Sequence, residues 1–320
     1  MSQRTLIILL ALFVVVTGLY FFTSQKGHEG AKSLLTPLGK KAWLEADEID
    51  VYFQKPEQGF ALVKEDQRWI IRDDYPRPAK DALVNKLLQD LADLYGEKRA
   101  QGEKYFSRFK LQEDQALHLV LKKDGQVLAH ILLGKRGPLW ESNFLRFKDG
   151  QEIYLVSQNF LSKFGVWKEE PGAPQFKDLV DLKILDLPPK EVKLLALSKG
   201  DLSWKLVRKK DAFLWQKGEE EKELKEEQVA TFLRKVFPLL AQEVVPPNTF
   251  GTAEGELRYE TTLGTQGALL LGPCAEEGAQ EAAKAEEKKP KKVFCLVKKG
   301  PFVYKVAQTK LTPLFDPKFE

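Results

Sequence analysis

Two cysteines, three histidines and a single methionine in 320 residues leave little for bridging or ligation. A disulfide-dense scaffold or a Cys/His zinc module needs more of these residues than the chain owns. The chain contains no C-x-x-C redox pair, no G-x-G-x-x-G and no phosphate-cradling G-x-x-x-x-G-K-[ST], so the common nucleotide and thiol-exchange sites are excluded as sequence readings. A surplus of one charge is also missing, because 50 Lys and Arg face 46 Asp and Glu with both signs mixed along the length. No basic stripe marks a nucleic-acid binder. What is present is 43% hydrophobic and 30% charged side chains, a globular balance with length for about two domains.

One long apolar run exists. From Leu6 to Phe22 the chain reads LIILLALFVVVTGLYFF, flanked by Arg4 and Lys26. That length lies at the lower end of what spans a bilayer, and Tyr20, Phe21 and Phe22 suit an interfacial belt. The expectation is an uncleaved transmembrane signal-anchor over residues 1–27. A cleaved signal peptide is the alternative, but bulky residues follow the apolar core where a small-x-small site would be needed. Flanking charges orient the segment only weakly. Long C-terminal domains translocate largely regardless of charge, so residues beyond the tether at 28–43 are placed in the periplasm of a bacterial inner-membrane protein.

The remainder repeats itself. Asn143-Phe144-Leu145-Arg146-Phe147-Lys148-Asp149-Gly150 resembles Val293-Phe294-Cys295-Leu296-Val297-Lys298-Lys299-Gly300, and Ile153 to Gln158 meets Val303 to Gln308 at the same displacement. Upstream, Trp69 matches Trp215, and Leu83, Leu87, Leu91 and Leu94 recur as Val229, Leu233, Phe237 and Leu240, a helical spacing. Each copy reads as strands, a helix, then strand pairs. Asp124-Gly125 and Asp149-Gly150 sit between extended runs as hairpin signals. Copy one is placed at 44–168, a Pro/Gly-marked linker at 169–188 and copy two at 189–320, with a charged low-complexity insert at 274–292. The expected fold class is α+β: an N-terminal single transmembrane helix followed by two homologous, mostly antiparallel β-sheet plus helix modules.

Chemistry-bearing residues do not converge in this reading. If the Asp124-Gly125 turn has two residues, His118 opposes Ile131 and His130 opposes Leu119, which sends the two rings to opposite faces. The clusters Asp73-Asp74, Glu169-Glu170 and Glu219-Glu220-Glu221 lie in expected loops, without calcium-loop spacing. Gly134-Lys135-Arg136-Gly137 reads as the exit of a strand. No catalytic, cofactor-binding or metal-ligating residue is assigned, and the protein is expected not to be an enzyme. Cys274 and Cys295 flank the insert, where a disulfide would clamp its base in an oxidising compartment. Trp69, Trp204 and Trp215 fall at core positions of strands, whereas Trp140 is the aromatic best placed for an exposed contact.

The succession of an apolar anchor, strands ending on a Trp, a leucine-rich helix, a hairpin ending in Leu132-Leu133-Gly134-Lys135 and a strand at Ile153 to Ser157, twice over, resembles the DUF4340 family from about Leu44 to Phe315. The resemblance implies a bacterial envelope protein similar to auxiliary components of gliding-type ABC export systems, and it carries no catalytic residue. The functional expectation is a non-enzymatic, membrane-anchored accessory or scaffold protein with a protein partner in the envelope, such as ABC transporter subunits, and no nucleic acid. The alternatives are a binding module for cell-wall glycan or exported polymer and, behind it, an enzyme of unknown type.

Overall fold

The structure is a computed structural model that describes residues 13, 15, 17, 35–210, 212–276 and 292–319. The chain divides into two compact units, one running through Asp73 and then Ala79–Leu179, the other comprising Asp74–Pro78 and Val180 onward.

In unit 1, alternating apolar residues build antiparallel strands because every second side chain must leave water. Its strands are β1 (Leu35–Pro37), β2 (Glu48–Phe53), β3 (Gly59–Glu65), β4 (Arg68–Arg72), β5 (Tyr95–Gln101), β6 (Leu117–Lys123), β7 (Gln126–Arg136), β8 (Asn143–Phe147) and β9 (Glu152–Val156). They lie in the order β1-β5-β9-β8-β7-β6-β2-β3-β4. Helix α1 (Asp81–Ala92) enters between β4 and β5 and buries Val84, Leu87, Leu88 and Leu91. Leu83, one turn earlier on the stripe expected from its spacing, is exposed. Trp69 fixes the helix start: its backbone N–H donates to Asp81 Oδ1 at 2.7 Å and its indole Nε1–H to Asn85 Oδ1 at 3.0 Å.

Unit 2 repeats the plan with β10 (Val192–Lys199), β11 (Leu202–Arg208), β12 (Ala212–Lys217), β13 (Glu220–Lys225), α2 (Glu226–Val236), β14 (Glu243–Val245), β15 (Gly255–Thr261), β16 (Gln266–Glu276), β17 (Val293–Lys299), β18 (Phe302–Ala307) and α3 (Gln308–Phe315). The sheet order β14-β18-β17-β16-β15-β10-β11-β12-β13 follows unit 1 strand for strand from β5 to β4, with β13 added at one edge where unit 1 adds β1 at the other. Helix α2 stops at Val236, so Pro238 follows the helix instead of lying in it, and Leu240 is exposed. A ring nitrogen without a hydrogen cannot continue the ladder of helical bonds.

The expected fold class is corrected. Among the described residues no helix is long and apolar enough to cross a membrane. The two long helices have 12 and 11 residues, about half of what a bilayer requires, and their apolar faces are consumed by the sheets. The described residues are mostly antiparallel β-sheet, and no transmembrane helix is shown among them. Leu6, Phe22 and most of the run between them lie outside the described residues. The stretch read as a linker is shared between the units, and its Leu179, Val180, Ile184, Leu185 and Leu187 are buried.

Candidate functional site

In unit 1 the short connection from β7 to β8 carries the largest exposed apolar pair of side chains, Leu139 and Trp140. Their exposure is built, not loose. Gly137 N–H donates to Ser142 O at 2.9 Å, Ser142 N–H to Leu139 O at 3.0 Å, and the Ser142 hydroxyl to the same carbonyl at 2.7 Å. A Cβ on Gly137 would lie 2.3 Å from Ser142 Oγ and 2.6 Å from Leu155 Cδ1, so a side chain there would have to displace Ser142 and Leu155. Asn159, at the start of the one-turn helix Phe160–Lys163, donates from Nδ2 to Trp140 O at 2.9 Å and accepts the Ser162 N–H on its Oδ1 at 3.1 Å. Beneath the ring, the Arg136 guanidinium carbon sits 4.0 Å from the Trp140 centroid, a cation–π stack that holds the indole outward.

Facing this turn are Leu35 of β1, Tyr95, Glu97 and Arg99 of β5, and Leu155 and Val156 of β9. Together they enclose a groove of about 630 Å3, within the size of ordinary ligand sites. Trp140 is 53% and Leu139 73% exposed, with Tyr95 at 55% on the opposite wall. Glu97 and Arg99 pair across 2.9 Å and leave the floor apolar. This is the arrangement of a recognition surface: rigid aromatic side chains, little entropy left to lose on contact, and a charged rim. Trp167, also exposed, lines no part of it.

The other residues singled out by sequence do not gather. Asp74 accepts from Arg77 Nη2 at 2.7 Å; desolvation, the largest single influence, pushes its carboxyl up, but the Arg77 hydrogen bond and charge together with backbone N–H donors hold it below the usual range. Glu170 faces Lys110 at 3.4 Å, and Glu220 and Glu221 belong to the exposed strand β13. Among the described residues no group of three or more His, Cys, Asp or Glu is placed to hold a metal ion. In unit 2, Cys274 of β16 stands opposite Cys295 of β17, and the two are joined by a disulfide.

The histidines require a second correction. Their rings do not point to opposite faces: His118 Nδ1 and His130 Nε2 are 2.9 Å apart. The Asp124-Gly125 turn does pair Lys123 with Gln126, but the register shifts between Leu121 and Lys122, leaving Leu128 as an extra residue. One bulged residue inverts every face beyond it, so Val120 opposes His130 and both rings share a side. Tyr52 stacks on His118 at 4.5 Å between centroids, and His118 Nε2 donates to Glu113 O at 2.8 Å. Burial first, and then the neighbouring histidine, pushes the His130 pKa down to about 4, and burial lowers that of His118. The sequence offered no sign of this pair, because Val127, Leu128 and Ala129 are all apolar and hide the missing beat.

No curated protein matches the chain. A family profile described as "Domain of unknown function (DUF4340)" matches residues 69–256, which begins at Trp69 of unit 1 and ends inside β15 of unit 2. The match spans well over half of the chain and crosses from one unit into the next, and the protein therefore belongs to the DUF4340 family.

Proposed function

We propose that this protein is a non-enzymatic accessory or scaffold protein of the bacterial envelope that docks a segment of a protein partner in the Trp140 groove. The observation that carries the reading is the groove itself, whose exposed indole stacks on Arg136 while the Trp140 backbone carbonyl is held by Asn159. Side chains that nature pins in an exposed rotamer have already lost their freedom, and a partner that covers them gains the burial of apolar area at reduced entropic cost. The Cys274–Cys295 disulfide supports a location on the exported side of the membrane, since such bonds persist in oxidising compartments. An ABC-type export system is the partner class proposed, on the strength of the resemblance alone.

The test is site-specific photo-crosslinking in native cells. A photoreactive residue at position 140 should yield a discrete adduct with an envelope protein, one at the exposed Leu263 of unit 2 should not, and Asn159→Ala should weaken the adduct several-fold. Equal labelling at both positions, or none at position 140, overturns the reading. A second reading, glycan or exported-polymer binding, is favoured by the facing Tyr95 and Trp140 rings with Ser142 and Ser157 beside them. Quenching of indole fluorescence by soluble cell-wall fragments, abolished by Trp140→Ala, would select it instead.

A further inference from the structure

The His118–His130 pair lies outside the groove and has no part in the reading above. Its proton inventory is fixed by its neighbours. Glu113 O can only accept, so His118 Nε2, 2.8 Å away, carries a hydrogen. Neutral His118 then has a bare Nδ1, and His130 Nε2, 2.9 Å from it, must donate. One added proton enters at His130 Nδ1 and leaves the N–H···N bridge intact, now charge-assisted. A second has only His118 Nδ1 to occupy, where it would meet the His130 Nε2–H head on. Two donors then face each other with no acceptor between them.

We propose that this pair is an acid-release latch built into unit 1, which holds with no added proton or one and lets go at the second, when the two facing donors push β6 and β7 apart at the rings. Its surroundings set the threshold. Tyr52 covers His118 from β2; Arg146 from β8 and Lys148 just beyond it oppose protonation; Glu113 and Asp149 favour it. Lys148 also faces Glu113 at 3.8 Å, which blunts the carboxylate's help. Burial tips the sum toward the neutral pair. Both pKa values lie below the ordinary histidine value, so the native state binds fewer protons than the unfolded chain in acid. The stability the pair contributes is full above about pH 6.5 and drains away as the pH falls toward about 4. Unit 2 has no histidine and provides an internal control, because the remaining histidine, His28, is N-terminal to both units' strands.

The experiment is a titration of the full chain by imidazole NMR, combined with amide hydrogen exchange at about pH 6.5 and about pH 4. Two separated steps are expected, both below the ordinary histidine value, and β6–β7 amides should exchange about tenfold faster at the acidic end after correction for intrinsic rates, while β15–β16 amides do not. In His130→Gln, whose amide still donates but does not titrate, the acceleration should shrink to less than about twofold. Histidines that both titrate near 6.5, or an equal acceleration in the variant, overturn the latch. The titration of the unaltered chain decides the matter even if the variant fails to fold.

Discussion

The two units share one strand order and differ most in what they hang on the same connection. Between β7 and β8 unit 1 has a turn closed on Gly137 and Ser142 that presents Trp140, while between β16 and β17 unit 2 has an insertion whose base is bridged by Cys274 and Cys295. Duplication supplied two equivalent sheets, and the connection that packs least against either was free to diverge. The strands could not, since each buried residue there is fitted to its neighbours.

A second difference sits inside the cores. Trp69 and Trp215 occupy equivalent strands, but the Trp69 indole donates to Asn85, whereas the Trp215 Nε1 is buried without a partner. Thr231 stands on α2 where Asn85 stands on α1, and its hydroxyl is spent on Glu227 O at 2.9 Å. Phe319 packs on Trp215 with ring centroids 5.8 Å apart, and Phe232 packs on Phe319 in turn at 5.0 Å.

These contrasts can be broken. Trp69→Ala should cost unit 1 about 4 kcal/mol, from a cavity plus the lost hydrogen bond to Asn85, and Trp215→Ala should cost unit 2 about 1 kcal/mol less, because no hydrogen bond is lost. Exchange protection read separately for β2–β3 and β10–β11 measures each; equal losses would erase the distinction. Reducing the disulfide, or replacing both cysteines by serine, should destabilise unit 2 by about 3 kcal/mol through the closed loop of sequence separation 21, with unit 1 unmoved. Calorimetry with and without reductant should show one transition shifting and the other staying. The smallest effect is a gain: Thr231→Asn should give Trp215 its missing acceptor and raise the unit 2 transition by the equivalent of about 0.5–1 kcal/mol. No upward shift would mean that the Asn85 geometry is not reproduced on α2.

Much of this plan was readable in the residues. Strands β2 to β4, β6, β8 and β9 fall within a residue of where alternation and Asp-Gly turns place them, because a half-buried strand must alternate, while β7 runs on to Arg136, three residues past the expected end at Leu133. Strands β5 and β13 escaped for the converse reason. β5 reads YGEKRAQ and β13 reads EEKELK, sequences with hardly a buried face, which are strands only because a neighbour supplies hydrogen bonds. The Trp140 groove was legible only at its indole. Its other wall comes from β5 and β9, distant in sequence, and no local pattern announces that they will face it. The bulge at Leu128, lacking a glycine or a polar residue to flag it, inverted the reading of the histidines. The apolar run at Leu6 to Phe22 was read as the lead element of the fold, yet the described architecture is set by the sheets.

The charged strand β13 has a consequence for the protein in a crowded compartment. A nine-stranded sheet ending on an unpaired apolar edge would be a template for another copy to extend. Unit 2 ends on one side with alternating glutamate and lysine and on the other with the three residues of β14, and unit 1 carries the proline-bearing β1 at its margin. Like charges would be brought into register by any added strand, and a proline offers it no hydrogen to grip. Both sheets are thereby guarded against edge-to-edge growth at the borders where it would begin.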